Sequence, residues 1–469
     1  MAGIVSYGAY VPLFRLGKGT AGWEGPGEKP VANWDEDSLT MGVAAALDSL
    51  RGQDREPVDS LLFSTNSPPY QEKQSAPFIA GACDLKERLL ATDLAHSVRG
   101  GTMSLKMAAD AIQAGSARQV LVVAADSRPA QSRSSAEQST GDGAAALLLG
   151  DRGSIATIQA HEALSHDILD TWRPTGEPFP RTWEDRFMLE EGYFRLCQAV
   201  ASELMKKKGL AAKDISRLVL WAPDARRHRE MATALGFDYK TQVQDPLFGV
   251  LGNTGTAYAP MLLVAALEQA KPGDRILMVN YGDGADATLF QVTPEIANLK
   301  PRRGLKGYLA SKRLLPDYST YLTWRGLLEP DPGARRPAQE GPSAAALHRE
   351  REGVLRLYGA KCQQCGTVQY PPQRVCTRCH ARDKFDKVRL AEKPASIFTY
   401  SMDYISGTKD LPLVVAVINF EGGGRMVGFI TDRDIKEVKV GMPLEMTYRR
   451  LFSAEGIHNY FWKAMPVRA

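Results

Sequence analysis

Two pairs of cysteines in the C-terminal third of the chain have the spacing of a metal site. Cys362-x2-Cys365 and Cys376-x2-Cys379 are separated by ten residues. Each pair closes a tight turn that directs two thiolates at one point, and two such turns complete a tetrahedral all-thiolate site. Redox chemistry is the competing interpretation, but two pairs this close favour zinc. Since four thiolates leave no open coordination position, we expect a structural zinc, with His380 as a competing ligand.

A second group of polar residues lies in loops of the kind that carry active-site residues in α/β proteins. Asn253 lies in a Gly-Asn-Thr-Gly sequence, and Tyr281 and Asp283 follow an apolar run in a glycine-bounded loop. An amide donor can stabilise an enolate oxyanion, and a carboxylate whose pKa is raised by burial can act as a general base. A turn-forming asparagine and a turn or helix-capping carboxylate are the alternatives.

The adjacent residues His96 and Ser97 are a third candidate, as a base and a nucleophile. An activating base must come within hydrogen-bond reach of the nucleophile. Neighbouring side chains on a strand point to opposite faces, so a serine acyl-enzyme is the weaker hypothesis here. His96 alone remains a candidate acid or base in that loop.

Short apolar runs alternate with helical patterns over the first 300 residues, which predicts βαβ units and a largely parallel, buried sheet. A faint repeat runs from Gly100 and again from Thr254. Each copy has a Gly-Thr opening, a helix rich in small residues, a polar break and an apolar strand. This pattern predicts duplicated halves, each built around a closely packed central helix. The apolar runs that lead to this prediction are 61–63, 120–125, 218–221 and 276–281.

The composition changes after residue 300, which gives the predicted domain organisation. Residues 329–343 are rich in proline, glycine and charge and read as a linker. Several short β-rich runs at near-regular spacing near the end favour a small antiparallel barrel. The predicted units are an α/β domain over 1–300, a linker with helical segments over 301–356, a zinc ribbon over 357–390 and the barrel over 391–469.

Charge and hydropathy exclude two classes of protein. The 469 residues contain 58 Lys plus Arg and 54 Asp plus Glu, so the net charge is 58 − 54 = +4. Dedicated nucleic-acid binders concentrate more positive charge, whereas a mild excess suits anionic small molecules. No stretch approaches the roughly 18 apolar residues of a membrane span, and the first residues do not read as a signal peptide. With six cysteines, four of them paired for metal, we expect a cytoplasmic protein.

Several motifs together resemble a known enzyme family. The opening GIVSYGAYVPLFRL, the run WDEDSLTM at 34–41, and Gly-rich motifs at 100–102, 141–146, 252–253 and 281–284 resemble the 3-hydroxy-3-methylglutaryl-CoA synthase branch of the thiolase superfamily. This resemblance covers about residues 1–295. Residues 357–469 resemble the zinc-ribbon plus OB-fold module that accompanies such enzymes as a partner subunit or fusion, chiefly at LYGAKCQQCGTVQYPP and at 428–430.

The resemblance implies both a fold and an activity. The fold is an α/β, thiolase-like, five-layered αβαβα arrangement with duplicated halves, followed by a zinc ribbon and a small OB-type barrel. The family implies a homodimer through the thiolase-like domain and Claisen-type chemistry on acyl-CoA. In that family a cysteine accepts the acyl group, a histidine assists it, and a glutamate moves a proton of the attacking acetyl group.

This chain departs from the family pattern at all three catalytic positions. Aligned through the neighbouring motifs, the cysteine position falls on Val98 or Ser97, the glutamate position on Asn66, and the histidine position on Trp221 or Ala222. The two remaining cysteines, Cys83 and Cys197, lie in apolar helical surroundings and are expected to be core residues. Ordinary synthase activity through an acyl-cysteine is therefore not expected.

The sequence predicts an acyl-CoA enzyme that makes or breaks a carbon–carbon bond next to the thioester, by aldol, retro-aldol or Claisen chemistry, without the usual cysteine. Its substrate is a CoA thioester. The alternatives are a condensing acyltransferase that uses Ser97, and a non-catalytic acyl-CoA-binding or scaffold subunit that assembles with a further thiolase-type subunit. The candidate catalytic residues are His96, Ser97, Asn253, Tyr281 and Asp283.

Overall fold

The computed structural model describes residues 1–329 and 340–468, so residues 330–339 of the predicted linker lie outside the described residues. The chain divides into two units. The first comprises Met1–Ala32, Asp37–Ala80 and Leu85–Tyr321. The second comprises Asn33–Glu36, Gly81–Asp84 and Leu322–Ala469. Two short segments of the N-terminal half therefore belong to the unit that also holds the ribbon and the barrel.

The strands up to residue 329 are short and mostly buried. They are β1 (Gly3–Tyr10), β2 (Phe14–Leu16), β3 (Lys29–Val31), β4 (Val58–Ser64), β5 (Leu90–Leu94), β6 (Gln119–Asp126), β7 (Gly143–Gly150), β8 (Ala156–Ser165), β9 (Thr171–Trp172), β10 (Arg181–Thr182), β11 (Arg217–Leu220), β12 (Arg275–Tyr281), β13 (Gly284–Val292) and β14 (Arg313–Leu314).

The helices of the same region connect these strands. They are α1 (Ser38–Ser49), α2 (Ala76–Ala82), α3 (Gly100–Gln113), α4 (Ser135–Ser139), α5 (Asp185–Phe187), a π-helix (Met188–Phe194), α6 (Arg195–Lys207), α7 (Ala225–Ala234), α8 (Tyr258–Leu267), α9 (Gly304–Ala310) and α10 (Tyr318–Trp324), with 3-10 turns at Ala212–Asp214, Gly255–Ala257 and Pro294–Asn298. Within the described ranges, no helix combines the length and apolar character needed to cross a bilayer.

The main sheet repeats one pairing pattern twice. Its order is β11-β12-β13-β8-β1-β7-β6-β4-β5. In one half, β1 pairs antiparallel with β7, β7 antiparallel with β6, and β6 parallel with β4. In the other half, β8, β13, β12 and β11 repeat these three pairings in the same order. The halves are joined by an antiparallel contact between β1 and β8, so the predicted duplication is confirmed.

The expectation of a largely parallel sheet is wrong. Only β4–β5, β4–β6 and β11–β12 pair in parallel, and the other five ladders of this sheet are antiparallel. The reason lies in the connections. A tight turn joins β12 to β13, and a loop with one short helix joins β6 to β7, whereas a parallel neighbour needs a full crossover.

The central helices α3 and α8 pack closely because their residues are small. All ten residues of α8 are buried. A side chain at Gly101 of α3 would collide with the Thr256 carbonyl and lie 2.9 Å from Cγ of Pro260. Glycine at this position therefore allows the first helix of the repeat to touch the second, near the N-terminus of α3.

The second unit contains a three-stranded ribbon and a closed barrel. Its elements are α11 (Ala344–Arg349), α12 (Arg351–Arg356), β15 (Tyr358–Cys362), β16 (Val368–Gln369), β17 (Phe385–Arg389), β18 (Ala395–Asp403), β19 (Leu413–Phe420), β20 (Arg425–Ile430), β21 (Pro443–Ala454) and β22 (Ile457–Pro466). The ribbon order is β16-β15-β17 and the barrel order is β18-β19-β20-β22-β21. The predicted barrel is confirmed, although it is not wholly antiparallel as predicted, because β20 and β22 pair in parallel.

The segment Asn33–Glu36 contributes buried charges to this second unit. The Asp35 carboxylate accepts from Lys463 Nζ at 2.8 Å and from Arg449 Nη1 at 3.1 Å. Burial alone would raise the pKa of Asp35, but the two cations hold it below its usual value. Arg449 also pairs with Asp432 at 2.6 Å. Part of the Trp-Asp-Glu-Asp motif therefore has a structural role, since a buried charge is tolerated only when it is paired.

Candidate functional site

The candidate site lies where parallel strands end. The strands β4, β5 and β6 are mutually parallel, so their carboxyl ends meet at one edge of the sheet. Asn66 follows β4, His96 and Ser97 follow β5, and Arg128 follows β6. In α/β sheets, ligands bind in the crevice outside the carboxyl ends of the strands. Binding or catalytic residues are therefore expected at this edge of the sheet.

Val98, one of the two positions to which the resemblance assigns a cysteine, directly precedes the N-cap residue of α3. The chain passes very close to it at Gly282, where an added side chain would overlap Cγ2 of Val98. Val98 is only partly exposed. A branched hydrocarbon therefore stands where an acyl-accepting thiol would benefit from the helix N-terminus.

Ser97 contacts backbone groups rather than a base. Its Oγ accepts from the Arg99 N–H at 3.3 Å and lies 3.5 Å from the Gly282 carbonyl. His96 is exposed and adopts a left-handed backbone conformation with φ of 73°. Within the described residues, no hydrogen bond joins His96 to Ser97. The structure thus brings Ser97 to the Tyr281–Asp283 turn but gives it no activating imidazole.

Arg99, which sequence analysis missed, holds that turn in place. Its guanidinium donates to the carbonyls of Gly282 and, at 2.9 Å, of Asp283. Nη1 lies 3.7 Å from Oδ2 of the buried Asp286, which also accepts from Thr102 Oγ1 at 2.8 Å. Burial raises the pKa of Asp286 to about 7, although Thr102 and Arg99 oppose the shift. Nothing in the local sequence distinguishes Asp286 from the exposed Asp283.

Tyr281 and Asp283 are separated by one residue, Gly282, but lie in opposite environments. Asp283 is exposed on the turn, with φ of 48°, whereas Tyr281 is only 2% exposed. The Tyr281 hydroxyl is buried and makes no hydrogen bond within the described residues. The carboxyl of Asp170, a residue that sequence analysis also missed, is close enough to raise the pKa of Tyr281. Burial raises the pKa of Asp170, with Asp185 and Asp283 adding to the shift and the Tyr281 hydroxyl opposing it. Burial, and then Asp170, raise the pKa of Tyr281.

Two aromatic side chains pack against the ring of Tyr281. The ring centroids of Tyr193, Trp221 and Tyr281 lie 5.5 to 5.8 Å apart. The Tyr193 hydroxyl and the Trp221 Nε1 are buried, and neither makes a hydrogen bond within the described ranges. Tyr193 belongs to the π-helix, an irregularity frequent at functional sites. Trp221, which with Ala222 is one of the two candidates for the histidine position, is an indole donor and cannot act as a base.

At the same edge, the Asp126 carboxylate joins the residues that follow β4 to the 3-10 turn Gly255–Ala257. Oδ1 accepts from Thr65 Oγ1, the Asn66 N–H and Ser67 Oγ, at 2.7 to 3.0 Å. Oδ2 accepts from the N–H and Oγ1 of Thr256, at 2.8 and 3.0 Å. Five donors therefore satisfy both oxygens, which makes Asp126 a structural group. Asn66, at the predicted glutamate position, offers an amide and not a carboxylate.

Asn253 forms a turn and keeps one donor for other use. Its Oδ1 accepts from the Gly255 N–H at 2.9 Å, and its carbonyl accepts from the Gly141 N–H at 3.1 Å. The Nδ2 amide makes no hydrogen bond in the part of the chain that the structure describes. Asn253 lies three residues before Thr256, which touches α3 at Gly101. No hydrogen bond among the described residues links Asn253 directly to Ser97, Tyr281 or Asp283.

Neither of the two remaining cysteines of the first part of the chain replaces the missing nucleophile. Cys83 and Cys197 are both fully buried. Burial raises the pKa of the Cys197 thiol, and Asp286 adds to that shift. Because the thiolate is the reactive form, a thiol with a raised pKa is a poor nucleophile.

The four ribbon cysteines form a candidate metal centre. Their Sγ atoms all lie within 4.8 Å of one another, with Cys362 to Cys379 at 3.6 Å and Cys365 to Cys376 at 3.5 Å. A tetrahedral zinc with bonds of about 2.3 Å places its sulfurs about 3.8 Å apart, so the donor set fits. His380 is not part of this group in the described residues.

The two cysteine turns share one local geometry. After the first pair, Gly366 adopts φ of 72° and donates to the Cys362 carbonyl at 2.9 Å. After the second pair, His380 adopts φ of 59° and donates to the Cys376 carbonyl at 3.1 Å. His380 thus occupies the left-handed position that glycine fills in the first turn.

Comparison with family models matches four stretches of the chain. Residues 92–164 and 205–291 match 3-oxoacyl-[acyl-carrier-protein] synthase III and its C-terminal part. Residues 349–384 match the rubredoxin-like zinc ribbon domain of ChsH2, and residues 388–449 match the C-terminal OB-fold domain of ChsH2.

Curated relatives cover the first two thirds of the chain. Hydroxymethylglutaryl-CoA synthase of Methanocaldococcus jannaschii is 30% identical over 345 residues, which are 69% of this chain and 99% of the relative. The enzyme of the same name from Aeropyrum pernix is 32% identical over 343 residues, which are 70% and 95% of the two chains.

Solved structures share the fold at lower identity. A crystal structure of HMG-CoA synthase complexed with CoA superposes with a TM-score of 0.60 at 18% identity, covering 73% of this chain and 95% of that one. The 3-oxoacyl-[acyl-carrier-protein] synthase III of Aquifex aeolicus superposes with a TM-score of 0.55 at 22% identity, covering 62% and 100%. These similarities establish the fold alone.

Proposed function

Because the chain belongs to the hydroxymethylglutaryl-CoA synthase family, we propose that it makes or breaks a carbon–carbon bond beside the thioester carbonyl of an acyl-CoA, without an acyl-cysteine. The observation that carries this proposal is Val98 at the N-terminus of α3, packed against Gly282. Cys83 and Cys197 are fully buried, so no thiol is offered at that helix end. Retro-aldol cleavage needs a base and an oxyanion donor but no thiol.

In this proposal Tyr281 and Asp170 move the proton. The Tyr281 oxygen takes the proton of the substrate 3-hydroxyl while its own proton passes to the Asp170 carboxylate. The C2–C3 bond breaks, its electrons form the thioester enolate, and C3 leaves as a ketone or aldehyde. The proton held by Asp170 then returns through the Tyr281 hydroxyl to C2 of the enolate. This restores both side chains and leaves an acyl-CoA shorter by the lost carbonyl fragment. The same steps in reverse form the bond. Asp170 suits this role because its raised pKa makes it a stronger base than an ordinary carboxylate.

The remaining candidate catalytic residues have smaller roles in the proposed reaction. Asn253 keeps a free Nδ2 amide, which would donate to the enolate oxygen. Asp283 is the second candidate base, but its exposure favours the buried Tyr281. His96 is exposed as well, and no residue in the described part of the chain makes a hydrogen bond or ion pair with its side chain.

The alternatives have less support. Ser97 would need an activating base to form an acyl-enzyme, and its contacts are the Arg99 N–H and the Gly282 carbonyl. A purely scaffolding subunit would not need a raised-pKa carboxyl beside a buried tyrosine. As part of the same proposal, the four ribbon cysteines hold a structural zinc, and the chain forms a homodimer through residues 1–300.

The test is to incubate the full chain with a panel of 3-hydroxyacyl-CoAs and to measure released ketone or aldehyde. Peptide mass spectrometry of the same samples detects any covalent acyl group. We expect carbonyl release and no adduct. An acyl group on Ser97 would favour the condensing acyltransferase, and CoA binding without turnover would favour the scaffold.

A further inference from the structure

Arg128 is a cation at the edge where the candidate site lies. It follows β6 by two residues and is only partly exposed. Its Cδ would lie 3.1 Å from a side chain added at Gly255, so the side chain runs along the turn that begins at Asn253. Within residues 1–329 and 340–468 the Arg128 guanidinium makes no hydrogen bond and no ion pair. A partly buried charge without a partner is costly, which makes Arg128 a candidate ligand group.

A second arginine approaches the same place from a different loop. Arg173 Nη2 donates to the Asn66 carbonyl at 2.9 Å. Burial lowers the pKa of Arg128, and the charge of Arg173 lowers it further, so the two guanidinium groups repel each other. Asp126 attracts Arg128, but both of its oxygens are already occupied by five donors.

The loop that carries Arg173 spans the site. Asp170 precedes β9 and lies near Tyr281 at the end of β12, whereas Arg173 follows β9 and reaches Asn66 at the end of β4. The short hairpin of β9 and β10 thus places Asp170 near Tyr281 and Arg173 beside Asn66.

We propose that Arg128 and Arg173 form a subsite for an anionic oxygen group of the acyl-CoA ligand, a carboxylate on the acyl chain or a phosphate of CoA. We favour an acyl chain that ends in a carboxylate, because Arg173 contacts Asn66 and Arg128 lies along the Gly255 turn, at the sheet edge where the proposed reaction takes place. This inference rests on the proposed function for its substrate class. Binding of the ligand, however, is measured without turnover.

The experiment compares matched ligands by isothermal titration calorimetry on the full chain. Succinyl-CoA and butyryl-CoA have equal chain lengths and differ in the terminal carboxylate, and free CoA has no acyl chain. We expect Arg128→Gln to weaken the binding of succinyl-CoA by about 10- to 30-fold, which is the effect of a lost charge-assisted hydrogen bond. The affinities for butyryl-CoA and free CoA should not change. Arg128→Lys keeps the charge and should retain part of the affinity.

The control is Arg181→Gln, which removes the same charge from an exposed residue of the neighbouring strand β10. It should change none of the three affinities. Equal weakening of all three ligands by Arg128→Gln would assign the subsite to a CoA phosphate and overturn the carboxylate substrate. Unchanged affinities in a variant with the wild-type melting temperature would overturn the subsite. Selective loss for succinyl-CoA in a chain that shows no turnover would keep the subsite and reject the proposed reaction.

Discussion

The two halves of the nine-stranded sheet have the same strand pairing but place opposite chemical groups at their carboxyl ends. The half that contains β4 and β6 ends in an amide and a cation, Asn66 and Arg128. The half that contains β12 ends in a hydroxyl and a carboxylate, Tyr281 and Asp283. Backbone pairing constrains the strands, whereas the loops after them are free to differ. The comparison shows that the two halves share strand pairing and differ in the loops, which carry the proposed acid–base residues in one half and the proposed cationic subsite in the other.

The largest effect on turnover should come from removing the proposed acid–base group, the Tyr281 hydroxyl. Tyr281→Phe deletes one hydroxyl, and we expect the turnover of a 3-hydroxyacyl-CoA to fall by about 10²- to 10⁴-fold, the usual contribution of a general acid or base. Steady-state release of ketone or aldehyde measures it. Tyr193→Phe is the matched control, because this neighbouring hydroxyl does not face Asp170. Equal losses in both variants would show that the cluster has only a packing role.

The two halves also differ inside their strands, at Asp286. Counted from the glycine that opens each strand, Asp286 of β13 corresponds to Ala145 of β7. Because burial raises the pKa of Asp286 from 3.8 to about 7, the folded state binds a proton more tightly than the unfolded state. The stability contributed by this bound proton is present below about pH 4 and is lost as pH rises through 7.

Because of this group, we expect the free energy of unfolding of the wild-type chain to fall by about 2–4 kcal/mol between pH 5 and pH 8. The Asp286→Asn variant should not show this fall. Urea unfolding at both pH values measures it. Asp283→Asn is the control, because this carboxylate is exposed on the turn. If wild type and Asp286→Asn lose stability in parallel over this range, the Asp286 carboxyl is not the group responsible.

A further difference should appear in the pH profile of the reaction. Asp170 must be ionised to accept a proton, and its raised pKa places the acid limb of kcat/KM above the usual carboxyl range. Activity should rise with pH through this limb. Asp170→Asn should lose about 10- to 100-fold in kcat and abolish the limb, while Asp167→Asn, on the same loop, should keep it. An unchanged acid limb in Asp170→Asn would remove Asp170 from the mechanism.

The smallest effect concerns the helix end between the two halves. A thiol at the N-terminus of α3 should have a lowered pKa, so Val98→Cys should react with iodoacetamide at pH 7 about tenfold faster than an unperturbed thiol. Cys197 in the wild-type chain should react far more slowly, because it is fully buried. Labelling followed by peptide mass spectrometry measures both rates. Slow labelling at position 98 would mean that the helix end is inaccessible to ligands.

Local patterns allowed much of this molecule to be predicted from the sequence. The cysteine spacing located the metal centre because each Cys-x2-Cys closes within one turn. Apolar periodicity located the strands and the repeat, but not the antiparallel pairings, since pairing depends on connections that carry no periodic signal. Arg173 and Asp170 were missed because their contacts are remote in sequence, Arg173 and Asn66 being 107 positions apart.

The most direct test of the central claim is a rapid-quench single turnover of a 3-hydroxyacyl-CoA, with intact-protein mass and carbonyl product followed in the same samples. The account predicts that ketone or aldehyde forms while the mass of the protein stays that of the unmodified chain at every time point. A transient mass increase equal to the acyl group, rising before the product and decaying with it, would contradict the account.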